Sequence, residues 1–394
     1  MSPEAWAWVL VGVLGALVGS FANVVIQRLP AGRSIVRPRS ACGACGRTLS
    51  PWELVPIVSW ALLRARCHGC GAPISVRYPL VEAAMMLSFL AVAWRFAPWE
   101  HPVAFVAVAT WWTILLIASL IDLDTFEIPD VLTLPATAAG LAAAFAWTGA
   151  PGLPGPADAA LGAAIGAGLL TLINRLGAWV LRRFRDTRER LWPIGFDQAN
   201  LAALAGTLGG VWVGLLAAAA STAANLATRR TLRIPEPVVW IAWGAALVVA
   251  PLGIGLLPAV TGGLAAAGAA SLAGATVWWI HDLRRPRPAD PGARSTPDAD
   301  PGAAEGADAA AEEPVAMGFG DVKLAALLGV VLGWDRLLVA LFAAVLVGAV
   351  VGVAQRAAGG SRTVPFGPFL ALGGVIALAF GAALIDGYLG LLGL

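Results

Sequence analysis

Two aspartates and four cysteines carry most of the chemistry available to this sequence. Asp122 stands in SLIDLDTFEIPD and Asp321 in GFGDVKLAAL. Each adjoins an apolar run of the kind that crosses hydrocarbon, where an acid is costly to bury and is a functional candidate by default. Two facing carboxylates in a low dielectric can share one proton, because both cannot cheaply ionise. The ionised partner can activate a water while the protonated one polarises a scissile carbonyl. Gly318 and Gly320 remove side chains beside Asp321 and would let a substrate backbone come close. The competing reading is helix capping, which suits Asp321 by position and suits Asp124 and Asp130 better.

All four cysteines fall in one loop, as Cys42-x-x-Cys45, twenty-one intervening residues, then Cys67-x-x-Cys70. Paired CxxC knuckles present four thiolates to one ion, which suits zinc. Disulfides compete, but the loop is expected on the reducing, cytoplasmic side. A redox role competes too, and it lacks the usual βαβ setting. Zinc would fold a loop that has little core of its own. His68 lies within the second knuckle, where four thiolates already complete a site. His101 and His281 add no pattern.

These residues need elements to position them. Charged residues make up 13% of the 394 and hydrophobic ones 59%, with a mean hydropathy of +0.78. That balance excludes an ordinary soluble domain. The expected fold is an all-α polytopic membrane protein with about twelve transmembrane helices and a small cytoplasmic zinc-binding loop. The spans fall near 4–26, 79–97, 103–121, 131–149, 158–181, 198–211, 212–227, 237–256, 259–280, 322–333, 335–354 and 366–391. The first is read as a retained span rather than a signal peptide, since a basic n-region and a small-residue cleavage site are missing.

Arginines cluster at Arg28 to Arg77, Arg182 to Arg190, Arg229 to Arg233, Arg284 to Arg294 and Arg356 to Arg362. Each cluster follows an odd-numbered span, so these loops are expected in the cytoplasm and the N-terminus outside. Asp122, Asp321 and the cysteine loop then share the cytoplasmic face. The stretch 283–316, rich in Pro, Ala, Gly and acids, reads as a disordered linker. Net charge is only +2, and its distribution is what matters; the expected partners include membrane lipid and no nucleic acid. Oligomeric state is left open.

One stretch occurs nearly twice. GFDQANLAALAG, from Gly195, and GFGDVKLAALLG, from Gly318, share seven of twelve positions. Gln198 stands opposite Asp321 and Asn200 opposite Lys323. Flanking segments also match in layout: LPGPADAALGAA with LPAVTGGLAAAG, and IPEPVVWIAWG with VPFGPFLALGG. Residues 153–255 and 257–385 therefore read as a tandem-duplicated four-helix unit. An amide cannot share a titrating proton, so the first copy is expected to be catalytically silent. The competing reading is that Ala- and Gly-rich helices resemble one another anyway.

Together, the G-F-G-D start of an apolar helix, the ID six residues ahead of IPD, GSFANVVIQRLP, ACGACG, CHGCGAPISVRYPLVE and VPFGPFLALGG resemble the type IV prepilin peptidase family of G-x-G-D membrane aspartyl proteases. The resemblance covers about 1–150 and 310–394. It implies a catalytic pair at Asp122 and Asp321, and prepilin or pseudopilin substrates whose leaders are cleaved at the cytoplasmic face of the bacterial inner membrane. It also implies a second activity, N-methylation of the new N-terminus with S-adenosylmethionine, in the N-terminal region. Gly19, Asn23, Arg28 and Glu82 are the candidate cofactor-binding residues there, while Cys42, Cys45, Cys67 and Cys70 are the candidate metal ligands.

The expected organisation is 1–100 for the methyltransferase-associated spans and cysteine loop, 103–152 for the spans carrying Asp122, 153–255 for the silent unit, and 257–394 for the unit carrying Asp321. Two other readings remain at this stage. A transporter built from repeats would explain the duplication, although its polar groups should lie mid-span rather than at one face. A non-catalytic assembly factor of a pilus or secretion machine would use the metal loop for docking.

Overall fold

A computed structural model describes residues 3–181, 194–230, 236–249, 251–284, 318–359 and 364–393. Among these the chain is helical, with only two single-residue β-bridges, Ala41 to Thr48 and Arg66 to Pro73. Among the described residues seven helices are long and apolar enough to cross a membrane. They are α1 (Pro3–Arg28), α4 (Pro102–Thr125), α6 (Pro156–Leu181), α8 (Val211–Thr228), α11 (Leu256–Leu283), α12 (Phe319–Ala357) and α13 (Gly367–Leu391). Large apolar side chains such as Leu10, Trp94, Trp212 and Phe342 point outward on these and neighbouring helices, as a lipid-facing surface requires.

The remaining expected spans are helices too, but shorter or less apolar. α3 (Arg77–Arg95) carries charge at both ends. α5 (Asp130–Ala143), α7 (Phe196–Gly209) and α9 (Glu236–Val249) have 14 residues each, a reach of about 21 Å. Two further short helices are α2 (Val58–Leu62) and α10 (Pro251–Ile254). The linker expected over 283–316 lies outside the described residues beyond Arg284, as does the Arg182 to Arg190 cluster.

Contacts divide the chain into two units, residues 1–166 with 320–394, and residues 167–319. In the first, small residues let helices touch backbone to backbone. A Cβ at Gly19 would lie 2.7 Å from the Glu82 Cα, and one at Gly15 would lie 2.8 Å from the Met85 carbonyl, so α1 seats against α3. A Cβ at Gly329 would lie 2.1 Å from the Gly162 carbonyl oxygen, which fixes α12 against α6.

α12 is not straight. Gly333 (φ 75, ψ 174) interrupts it, as expected from the separate segments 322–333 and 335–354. A Cβ at Gly166 would meet both the Ala325 carbonyl at 2.6 Å and the Leu337 side chain at 2.8 Å. In a straight helix those residues would lie about 18 Å apart, so the chain doubles back at Gly333. Only glycine accepts that positive φ without strain.

The second unit repeats the device. Gly210 (φ 84, ψ 172) separates α7 from α8. A Cβ at Gly214 would lie 2.6 Å from the Ala202 carbonyl, and one at Gly206 would lie 2.6 Å from the Gly262 carbonyl, seating α7 on α11. Ala202, Gly206, Gly210 and Gly214 stand opposite Ala325, Gly329, Gly333 and Leu337 when the two Gly-Phe stretches are aligned.

Candidate functional site

Asp122 closes the last full turn of α4 and Asp321 lies in the first turn of α12, and both are buried. Both helix ends belong to the first unit. The Trp111 indole on α4 donates to the Leu327 carbonyl on α12 at 3.0 Å. α4 ends at Phe126 in a left-handed conformation (φ 56) whose N–H returns to the Asp122 carbonyl. The turn that follows delivers Ile128 to the start of α12.

A Cβ at Gly320 would lie 2.7 Å from the Ile128 Cβ. This corrects the expectation that Gly320 leaves room for a substrate backbone: the space is taken by Ile128, and the glycine seats α12 on the α4–α5 turn.

Asp122 is held from α13. The Gly367 N–H donates to Asp122 Oδ2 at 2.8 Å, and a Cβ at Gly367 would come within 2.7 Å of that oxygen. The neighbouring acids are engaged by cations. Arg77 pairs with Asp124 at 2.7 Å, and the buried Lys323 pairs with Asp130. Neither Gly367 nor Lys323 is a candidate site residue from the sequence, although both lie in its repeated motifs. The available signals were the Pro-Phe-Gly-Pro start of α13 and a lysine two residues past a span acid. Farther along the same helices, toward the Pro102 end of α4 and about 16 Å or more from Asp122 by helix rise, α4, α5 and α12 line an apolar pocket of about 440 Å³ with Val106, Thr110, Trp111, Gly140, Leu327 and Val331.

In the second unit Gln198 occupies the place of Asp321. Its side-chain oxygen accepts the Gly195 N–H at 2.8 Å and its amide donates to Ser221 Oγ at 3.1 Å. It is a satisfied helix-start residue.

The N-terminal candidates knit α1, α3 and the loop between them. Asn23 donates to the Tyr78 carbonyl at 3.2 Å, Gly19 packs on Glu82, and Arg28 closes the loop through the Ser34 and Pro38 carbonyls. The partner that buried Glu82 required is the Ile57 N–H, which donates to its carboxylate at 2.7 Å. Ile57 adopts φ 63, an outlier for a β-branched residue, and this hydrogen bond ties the strained turn to α3.

The four cysteines converge. Their sulfurs all lie within 4.8 Å of one another, with Cys42 and Cys70 3.9 Å apart, and none is in a disulfide. A tetrahedron of thiolates ~2.3 Å from zinc has edges of about 3.8 Å, so the donor set fits that ion. Each knuckle is a small hairpin built the same way. Cys42 N–H bonds the Arg47 carbonyl and Cys67 N–H the Ala72 carbonyl, each at 2.8 to 2.9 Å. Gly46 and Gly71 both turn at φ 70.

Knuckle amides aim at sulfur. The Cys70 and Gly69 N–H groups hold the Cys67 thiol down at about 6, and those of Cys45 and Ala44 lower Cys42. Cys70 accepts the Ala72 N–H, yet the thiols of Cys45, Cys67 and Cys42 and burial push it up to about 11. Four crowded thiols that cannot all ionise alone are a setting in which a cation binds. Arg47 braces the loop, pairing with Glu53 at 2.5 Å. Hydrogen bonds from Arg47 and Ser50 hold the Glu53 carboxyl at about 2. The expected result is about one zinc per purified chain. Stripping it with a strong chelator, or Cys67→Ser, should make the loop protease-sensitive, as limited proteolysis followed by mass spectrometry would show.

Fold and site define a polytopic helical membrane protein with a four-cysteine, metal-type loop and a buried carboxylate on each of two packed helices. The chain belongs to the Type IV leader peptidase family, whose model matches it twice, over residues 107–228 and 226–353. A second model, the Bacterial Peptidase A24 N-terminal domain, matches residues 13–96.

Similar proteins include three called prepilin leader peptidase/N-methyltransferase. The one from Burkholderia pseudomallei is 35% identical over 57% of this chain and 78% of its own. The one from Aeromonas hydrophila is 27% identical over 96% and 93%. The one from Myxococcus xanthus is 44% identical over 43% of this chain and 49% of its own, so that match spans about half of the relative. No solved structure matches.

Proposed function

We propose that this chain is an integral-membrane aspartyl endopeptidase that removes the leader of type IV prepilin-like or pseudopilin substrates at the cytoplasmic face, with Asp122 and Asp321 as its catalytic pair. The observation that carries the reading is the burial of both acids at the joined ends of α4 and α12, in a chain of the leader peptidase family. One carboxylate takes a proton from water, whose oxygen adds to the scissile carbonyl carbon. The other, protonated, donates to the carbonyl oxygen. Collapse of the tetrahedral species breaks the C–N bond, and the leaving amine takes up the proton. The Gly367 N–H orients Asp122 for this exchange.

A substrate's apolar segment would extend from the pair along α4, α5 and α12 toward the apolar pocket at the Pro102 end of α4. Its basic leader would stay among the arginine-rich loops. The twelve apolar segments are read as crossings, several of them in hairpins, and residues 153–255 as a duplicated unit that lost its carboxylate. The double match of the family model and the paired breaks at Gly210 and Gly333 support the duplication.

Residues 1–100 are assigned the second activity, methylation of the new N-terminal amine by S-adenosylmethionine. The match over 13–96 and the two-part names of the relatives support this. Cys42, Cys45, Cys67 and Cys70 would hold zinc, which fixes the loop against α3. Gly19, Asn23, Arg28 and Glu82 would shape the donor site.

The test is purified enzyme in detergent with a full-length prepilin and S-adenosylmethionine, read by intact-mass spectrometry. The expected product has lost its leader and gained a methyl group. Leader loss without methylation would remove the second assignment. An uncut substrate, while a family relative cuts the same preparation, would overturn the first.

A further inference from the structure

Lys323 is an unusual residue for its position. Its side chain is only 6% exposed, within the first turns of a long apolar helix. A buried ammonium is tolerated only where it is paired, and Asp130, the first residue of α5, supplies the carboxylate. The pair bridges the start of α5 and the start of α12. α5 leaves the turn that follows Asp122, and α12 begins with Asp321 two residues before Lys323.

Residues two apart on a helix do not face each other. Lys323 therefore turns toward α5 and leaves Asp321 to another face. The other contact at this corner, Gly320 against Ile128, is steric and apolar. It sets how closely the helix approaches but not how it is rotated. An ion pair on a defined side chain sets the rotation.

The second unit carries an independent observation. Where the carboxylate has become Gln198, the lysine has become Asn200, and both replacements are buried. The helix start there still packs, breaks at Gly210 and seats on α11 without either charge. An ammonium at this position is therefore not needed to build the motif's fold. It accompanies the acid.

We infer that the Lys323–Asp130 ion pair is a positioning device that locks the rotation of the α12 start, and through it the direction of the Asp321 carboxylate relative to Asp122. Lys323 and Asp130 are positioning residues and do not touch the scissile bond. This rests on the assignment of Asp122 and Asp321 as the catalytic pair.

The test compares wild type with Lys323→Met, Asp130→Asn, the double variant and Lys323→Arg. Two readouts are taken on the full chain in detergent: kinetics of prepilin cleavage, and hydrogen–deuterium exchange over residues 319–326. Each single neutral variant should lower kcat about a hundredfold, the cost of a misplacement near 1 Å, with KM changed less than about threefold. Both should speed exchange at the α12 start. The double variant should be no worse than the worse single, because the partners act as one unit, and Lys323→Arg should recover most of the activity.

Singles whose losses multiply in the double variant would overturn the inference. So would faster exchange with kcat unchanged, which marks a purely structural pair. Unchanged exchange in both singles would overturn it whatever the kinetics. If wild type itself failed to cut prepilin, the peptidase reading would fall, while the exchange data would still decide whether the pair fixes the helix start.

Discussion

Asp122→Asn and Asp321→Asn should each lower the rate of leader removal by at least about a thousandfold while leaving membrane insertion and helix content unchanged. The magnitude follows from the chemistry. Positioned acid–base groups contribute roughly 10² to 10⁴ in rate, and two groups that share one proton act as a unit, so losing either costs about as much as losing both. The double variant should therefore be no slower than the singles.

Asparagine is the informative replacement because it keeps the size of the side chain. At Asp122 it can still accept the Gly367 N–H seen at 2.8 Å, so the α4–α13 contact survives and only the titrating proton is lost. Circular dichroism and size exclusion in detergent check integrity, and cleavage of a prepilin checks the rate. A variant that fails to insert would say nothing about chemistry, which is why both are measured on the same preparation.

The second large effect is structural. Gly329→Leu should destabilise the protein by about 3 kcal/mol or more, at the upper end of what overpacking costs. A Cβ at this position would lie 2.1 Å from the Gly162 carbonyl oxygen and 2.3 Å from its carbon. Backbone atoms cannot swing aside as a flexible side chain can, so α12 must move off α6. Asp321 lies eight residues earlier on the same helical segment and would move with it, and cleavage should fall about a hundredfold. Thermal unfolding in detergent and the cleavage rate are the two readouts. Gly244→Ala, where no atom lies within 4 Å of the added carbon, is the control and should leave both near wild type.

Much of this was legible in the sequence for a definite reason. A chain that must satisfy every backbone group inside hydrocarbon has little choice but helices, so apolar runs gave the elements, and the break between 322–333 and 335–354 was visible at Gly333. CxxC spacing gave the metal loop because local knuckle geometry is fixed by few residues. The carboxylates stood out because charge is rare in such runs.

What could not be read was long-range pairing. Nothing local says that Gly367 would meet Asp122 across 245 positions, that Lys323 would choose Asp130, or that Ile57 would satisfy Glu82. Gly320 was misread for the same reason: its missing side chain is needed by Ile128, a neighbour only in three dimensions. Lengths were overestimated at 131–149 and 237–256, where the helices end at Ala143 and Val249, whereas 198–211 matches the 14 residues of α7.

One comparison tests the central claim most directly: the initial rate of prepilin cleavage by Asp321→Asn beside that of Gln198→Ala, in the same detergent and at equal amounts of folded protein. The two positions stand opposite each other in the two similar stretches and differ in whether they hold an acid. A loss of about a thousandfold in the first with wild-type activity in the second is the predicted result. Cleavage surviving in Asp321→Asn, or abolished in Gln198→Ala with the fold intact, would contradict it.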